Sequence, residues 1–165
     1  FFKSEAIPGR FTPAGPDHAQ VAAVNGVVDY FESVAAHHAR NDEKSVAAQT
    51  RLVRTLFHHA ESALLPPLLD FLSAHPRVRL IGSPQAVDRA PTVAFTVEGL
   101  SSVEVAQALG RLDIGVGHGN FYAYRLMQAL GIDPAEGVVR ASFVHYTSGA
   151  DVDRLIAGLA SILEC

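Results

Sequence analysis

Gly117-His118-Gly119-Asn120-Phe121-Tyr122-Ala123, followed by Val138-Val139-Arg140-Ala141-Ser142-Phe143-Val144-His145-Tyr146, is the part of the chain whose reading decides the rest. The second stretch reads as an apolar strand from Val138 to Val144 with one guanidinium set into it. A buried charge is costly unless it is paired and hydrogen-bonded, so either a structural carboxylate or a carboxylate ligand must meet Arg140. The planar fork of arginine suits a carboxylate held by two parallel hydrogen bonds, as in enzymes that orient amino or keto acids. Ser142, two residues on, shares the strand face with Arg140, either assisting it or satisfying a backbone group. His118 stands between two glycines, where a backbone can approach a ligand closely, and histidine titrates near neutrality. It is therefore either a pocket group or a hydrogen-bonded loop residue.

Working outward, a strand near residues 113–116 leads into the glycine loop, and a helix from about Asn120 to Leu130 stops at Gly131. Ser148 and Asp151 open a final helix over about 149–163, and Ser101 with Glu104 opens a shorter one to Leu109, both spaced as capping boxes. Upstream, Val78–Ile81 and Thr92–Val97 read as strands separated by Gly82-Ser83-Pro84 and Ala90-Pro91. The apolar residues of 46–74 form one long helical stripe, which Pro66-Pro67 should kink. Val21, Val24, Val27, Val28 and Phe31 mark an earlier amphipathic helix from Asp17, its N-cap, to about His38. Residues 1–18 read as an extended loop, and 40–44 as a polar hinge. The expected fold is α/β: a short open sheet with helices packed on one face.

A net charge of −4, with 13 basic residues scattered along the chain, leaves no clustered footprint for nucleic acid. No apolar run approaches the roughly 20 residues needed to span a bilayer, so no membrane attachment is expected. Cys165 is the single cysteine among 165 residues, which points to a reducing, cytoplasmic compartment. The pairs His37-His38 and His58-His59 cannot chelate one ion together, because adjacent helical residues point about 100° apart, so no metal is expected. A first residue that is Phe, not Met, is expected of a fragment.

Taken in order, these pieces resemble the C-terminal region of class V aminotransferases, the pyridoxal-phosphate enzymes of fold type I that include cysteine desulfurases. The resemblance runs through Ile7-Pro8-Gly9-Arg10-Phe11, Gly15-Pro16-Asp17-His18, Gly117-His118, Phe121-Tyr122-Ala123, Val139-Arg140-Ala141-Ser142 and His145-Tyr146. It implies that residues 1–44 are the tail of a large cofactor-binding domain and residues 45–165 a C-terminal small domain. It further implies a cytoplasmic homodimer acting on an amino acid, with Arg140 and His118 on the substrate and the Gly15 turn near the cofactor phosphate.

The chain also departs from that family's pattern. The family's Schiff-base lysine lies far upstream of Gly15, and the only lysines here, Lys3 and Lys44, do not match it, so no catalytic residue is expected in this chain and it should be inactive alone. Ala14 stands where a phosphate-holding threonine is common. Desulfurases carry a persulfide-forming cysteine just after the Gly-His pair, and this chain has Asn120-Phe121-Tyr122 there. The alternative is a noncatalytic α/β interaction module derived from the same small domain.

Overall fold

The computed structural model describes residues 17–38, 45–87 and 89–164. The chain divides into two compact units, with the boundary between Thr55 and Leu56. The first carries helix α1 (His18–His38) and the opening turns of α2 (Val46–Ala74). Asp17 caps α1, its Oδ1 accepting from the amides of Ala19 at 3.0 Å and Gln20 at 3.2 Å. Ala35 is fully buried, whereas Val21, Val24, Val27 and Val28 along the apolar stripe are exposed.

The second unit holds the remainder of α2 and a four-stranded sheet. Its elements are β1 (Val78–Ile81), β2 (Thr92–Val97), α3 (Ser102–Gly110), β3 (Gly117–Gly119), α4 (Tyr124–Ala129), β4 (Val138–Ser142) and α5 (Gly149–Leu163). The spatial order is β1-β2-β4-β3, and every pair is antiparallel. Side chains alternate across a strand, so the register assigns faces. Val93, Phe95 and Val97 of β2, with Val139 and Ala141 of β4, face one core with leucines of α2, Val105 and Leu109 of α3, and Val152, Leu155 and Leu159 of α5. The opposite face is partly covered: Val138 packs with Met127 of α4 and Ile132, against Ile81, Ala94 and Phe121. Adjacent Val138 and Val139 are both buried because each face has its own cover at this point.

Helix α2 remains continuous through Pro66 and Pro67. Both prolines are exposed while Leu65, Leu68, Leu69 and Leu72 are buried. Burying a leucine contributes about 1.5–3 kcal/mol and a helical proline costs about 3, so four buried leucines outweigh the lost donors. The two capping boxes form as expected, Ser101 with Glu104 and Ser148 with Asp151.

Three expectations need correction around the glycine loop. The third strand is Gly117–Gly119, not 113–116, and Asp113 just before it has a φ of 56° that interrupts an extended chain. The following helix begins at Tyr124, not Asn120, because Phe121 (φ 51°) and Tyr122 (φ 61°) occupy the left-handed region, which a right-handed helix excludes. Strand β4 ends at Ser142, not Val144.

Candidate functional site

Arg140 sits in the middle of β4, opposite Ala94 of β2 on one side and Gly117 of β3 on the other. Its flanking positions thus carry almost no side chain, and the guanidinium stands clear of the sheet. It is exposed, on the face away from Val139 and Ala141, so the expectation that the strand buries a charge is overturned. The physical reason is the two-residue alternation of a strand, which sends Arg140 to the less covered face while its neighbours enter the core. Among the described residues the contact found for its side chain is with an aromatic ring: Cζ of Arg140 lies 3.9 Å from the centroid of Phe121. No described carboxylate lies within ion-pair distance of it, so the structural ion pair that would have been the simplest account of this arginine is not made here.

Ser142 lies on the same face, and its Oγ accepts a hydrogen bond from Thr92 Oγ1 at 3.2 Å. This satisfies a side chain on β2, not a backbone group, and leaves the Ser142 proton free for another acceptor. His118 pairs with Val139 in the register, which places it on the face opposite Arg140. Its ring is exposed on the edge strand. The two residues expected on the substrate are therefore adjacent in the sheet but do not converge from one side.

The loop between β3 and α4 is braced by Asn120. Its Oδ1 accepts from the Tyr122 amide at 3.0 Å, its Nδ2 donates to the Pro134 carbonyl at 3.0 Å, and its carbonyl accepts from the Ala123 amide at 2.8 Å. Tyr122 is fully exposed, and Tyr124 is also exposed. Beyond this loop, His145 is stacked on Phe57 of α2, with centroids 3.7 Å apart and planes at 8°. A cleft of about 190 Å³ lies at the C-terminal end of β4, where Ser142, Asp113, Thr147, Asp151 and Arg154 supply its polar side chains. There the Arg154 guanidinium donates to the Leu112 carbonyl at 2.8 Å, and the Asp151 carboxylate is engaged by Ser148.

Phe121 was not singled out from the sequence as a neighbour of Arg140. The signal available was an aromatic residue directly after Gly117-His118-Gly119-Asn120, but the register that sets Gly117 opposite Arg140 is needed to use it.

The aminotransferase class-V family profile matches residues 3–155, and the chain belongs to that family. Among curated relatives, it is 37% identical over 107 residues to an aminotransferase-like protein of Gibberella zeae, covering 62% of this chain and 26% of that protein. It is 29% identical over 157 residues to a probable cysteine desulfurase of Pseudomonas putida, covering 95% and 33%. Among solved structures, an apo cysteine desulfurase from Thermococcus onnurineus matches with a TM-score of 0.62 and 28% identity over 72% of this chain and 30% of the other. The cysteine desulfurase CsdA of Escherichia coli matches with a TM-score of 0.58 and 25% identity, covering 72% and 29%. The chain spans about a third or less of the length of these relatives. The fold is thus α/β with a small antiparallel sheet, matching part of these cysteine desulfurases of fold type I.

Pyridoxal phosphate requires an amine for its aldehyde and donors for its phosphate. Lys3, Lys44, Ala14, Gly15 and Cys165 all lie outside the described residues, which contain no lysine. The described residues therefore offer no lysine amine to the aldehyde of that cofactor. It has no helix long and apolar enough to cross a membrane, and no group of three metal-ligating side chains.

Proposed function

We propose that this chain is the C-terminal portion of a pyridoxal-phosphate-dependent, cysteine desulfurase-like enzyme that acts on an amino acid, with Arg140 binding the substrate carboxylate. The observation that carries this is an exposed guanidinium in the middle of the sheet, flanked by Ala94 and Gly117 and without a carboxylate partner among the described residues. Such a group has both N–H edges available for a bidentate acceptor. Ser142 stands on the same face with a hydroxyl proton to offer.

In this reading residues 1–44 complete the large domain and 45–165 form the small domain of a cytoplasmic homodimer. The large domain supplies the cofactor and its lysine, with the Gly15 turn near the phosphate, so the isolated chain is inactive. The cofactor when bound supplies the electron sink, and the part played by the present residues is to bind and orient the amino acid. His118, exposed at the sheet edge on the other face, serves a different portion of the site from the carboxylate. Asn120-Phe121-Tyr122 occupies the stretch where a desulfurase has its thiol, and none of these side chains takes up sulfur, so a reaction on the amino acid without a loop persulfide fits the residues better.

The test is Arg140→Ala in the full-length protein, with L-cysteine and L-alanine as substrates. A KM raised at least tenfold with cofactor absorption unchanged supports the reading. An unchanged KM for each amino acid that is turned over removes Arg140 from the substrate. The missing loop thiol also favours a second reading, a noncatalytic interaction module. A full-length protein that shows no cofactor band sensitive to borohydride would remove the enzyme reading and turn the search to binding partners.

A further inference from the structure

Resting on the reading of Arg140 as the carboxylate group, we propose that Phe121 is its positioning residue, an aromatic platform that fixes the plane of the guanidinium so that its N–H edge meets the carboxylate. Cζ of Arg140 lies over the Phe121 ring, 3.9 Å from its centroid, and a ring against the flat face of a guanidinium leaves the hydrogen-bonding edge open. A free arginine side chain has many rotamers, and ordering it opposes binding. A platform that restricts those rotamers beforehand raises affinity without touching the ligand.

The local structure is organised around that placement. Gly117 faces Arg140 across the β3–β4 ladder, and the Phe121 ring fills the space a side chain would take there. A Cβ on Gly117 would meet Cζ of Phe121 at 3.0 Å and Cε1 at 3.1 Å. The ring reaches this position because Phe121 and Tyr122 both adopt left-handed backbone conformations, which non-glycine residues avoid. Asn120 holds that conformation through its bonds to the Tyr122 amide and the Pro134 carbonyl. A ring serving only the apolar cluster would have its faces enclosed by apolar neighbours, whereas Phe121 is half-buried and turns one face to an exposed cation.

The test uses the full-length protein and propionate, a carboxylate with neither amine nor thiol. Modification of Arg140 by phenylglyoxal is followed by peptide mass spectrometry as propionate is added. Phe121→Leu keeps apolar bulk and removes the ring, and it should raise the half-protecting propionate concentration about three- to tenfold. Phe121→Tyr, which restores the ring, should return it to the wild-type value. Protection of Phe121→Leu at the wild-type concentration overturns the proposal, as does a Tyr variant as weak as Leu. If Phe121→Leu does not fold, Phe121→Met replaces it, since it too keeps apolar bulk without a ring, and unaltered protection there is equally fatal. Failure of propionate to protect Arg140 in the wild-type protein is a different result: it removes the carboxylate reading itself and the platform with it.

Discussion

Gly137 and Gly119 approach so closely that a Cβ on Gly137 would lie 2.1 Å from the Gly119 carbonyl carbon. Gly137 also has a φ of 62°, a conformation that favours glycine, so two independent constraints fall on one residue. Backbone here cannot give way cheaply, since Gly119 ends β3 and pairs with Val138. Gly137→Ala should destabilise the protein by about 2–4 kcal/mol, from overpacking and backbone strain together. Urea unfolding measures it. The same variant should raise hydrogen exchange at residues 117–119 before any other part of the sheet.

Arg77 joins three pieces of chain. Its Nη1 donates to the Leu163 carbonyl at 3.0 Å, near the end of α5, while Nη2 donates at 3.1 Å to the carbonyl of Glu98. The last carbonyls of a helix have no intrahelical partner, so loss of this donor leaves one to water. Arg77→Ala should cost about 1–2 kcal/mol. Arg77→Lys should recover only part, because an ammonium cannot reproduce the forked geometry. Thermal unfolding of the two variants side by side checks the order.

Glu104 and Asp151 are held below the usual carboxylate range. For Glu104 the larger cause is the hydrogen bond from the Ser101 amide, followed by that from its hydroxyl. For Asp151 the hydroxyl of Ser148 comes first and its amide second. A carboxylate whose pKa is depressed on folding contributes stability that is present above its unfolded pKa and lost as pH falls through the folded one. Stability should therefore decline on acidification below about pH 5. Glu104→Gln and Asp151→Asn retain an acceptor oxygen but not the titration, so together they should shallow that acid limb. Melting temperatures of the double variant and wild type across the acid range would show the same slope if these carboxylates were irrelevant.

Leu69 tests the account of the proline-containing helix. It is 1% exposed and packs in the main core two residues after Pro67. Leu69→Ala should cost about 2–5 kcal/mol, in the range of a buried leucine deletion with partial relaxation. Replacing exposed Pro67 with Ala should instead stabilise α2, since it restores a helical donor. Circular dichroism during chemical unfolding reads both, and opposite signs are expected.

Much of the fold was legible from local patterns. Helix α5 was bounded correctly because Ser148 and Asp151 cap its start and its apolar residues keep a helical period, and β1 and β2 because turn residues enclose short β-branched runs. These signals act over a few residues, where sequence and conformation are directly coupled. The glycine loop was different. Asn, Phe and Tyr after Gly119 do not by their type demand left-handed backbone, and Asn120 enforces it by joining the Tyr122 amide to the carbonyl of Pro134, 14 residues away.

By itself the sequence determined the long helices and the two capping boxes, the start of the strand that carries Arg140, and the family pattern that joins them. Only the tertiary structure decided what surrounds Arg140. The alternation of β4 turned it outward, and pairing with β3 set it opposite Gly117. The loop then laid Phe121 beneath it. Those relations depend on strand register between segments about 20 residues apart, and register is set by packing across the sheet, not by any local preference of the residues involved.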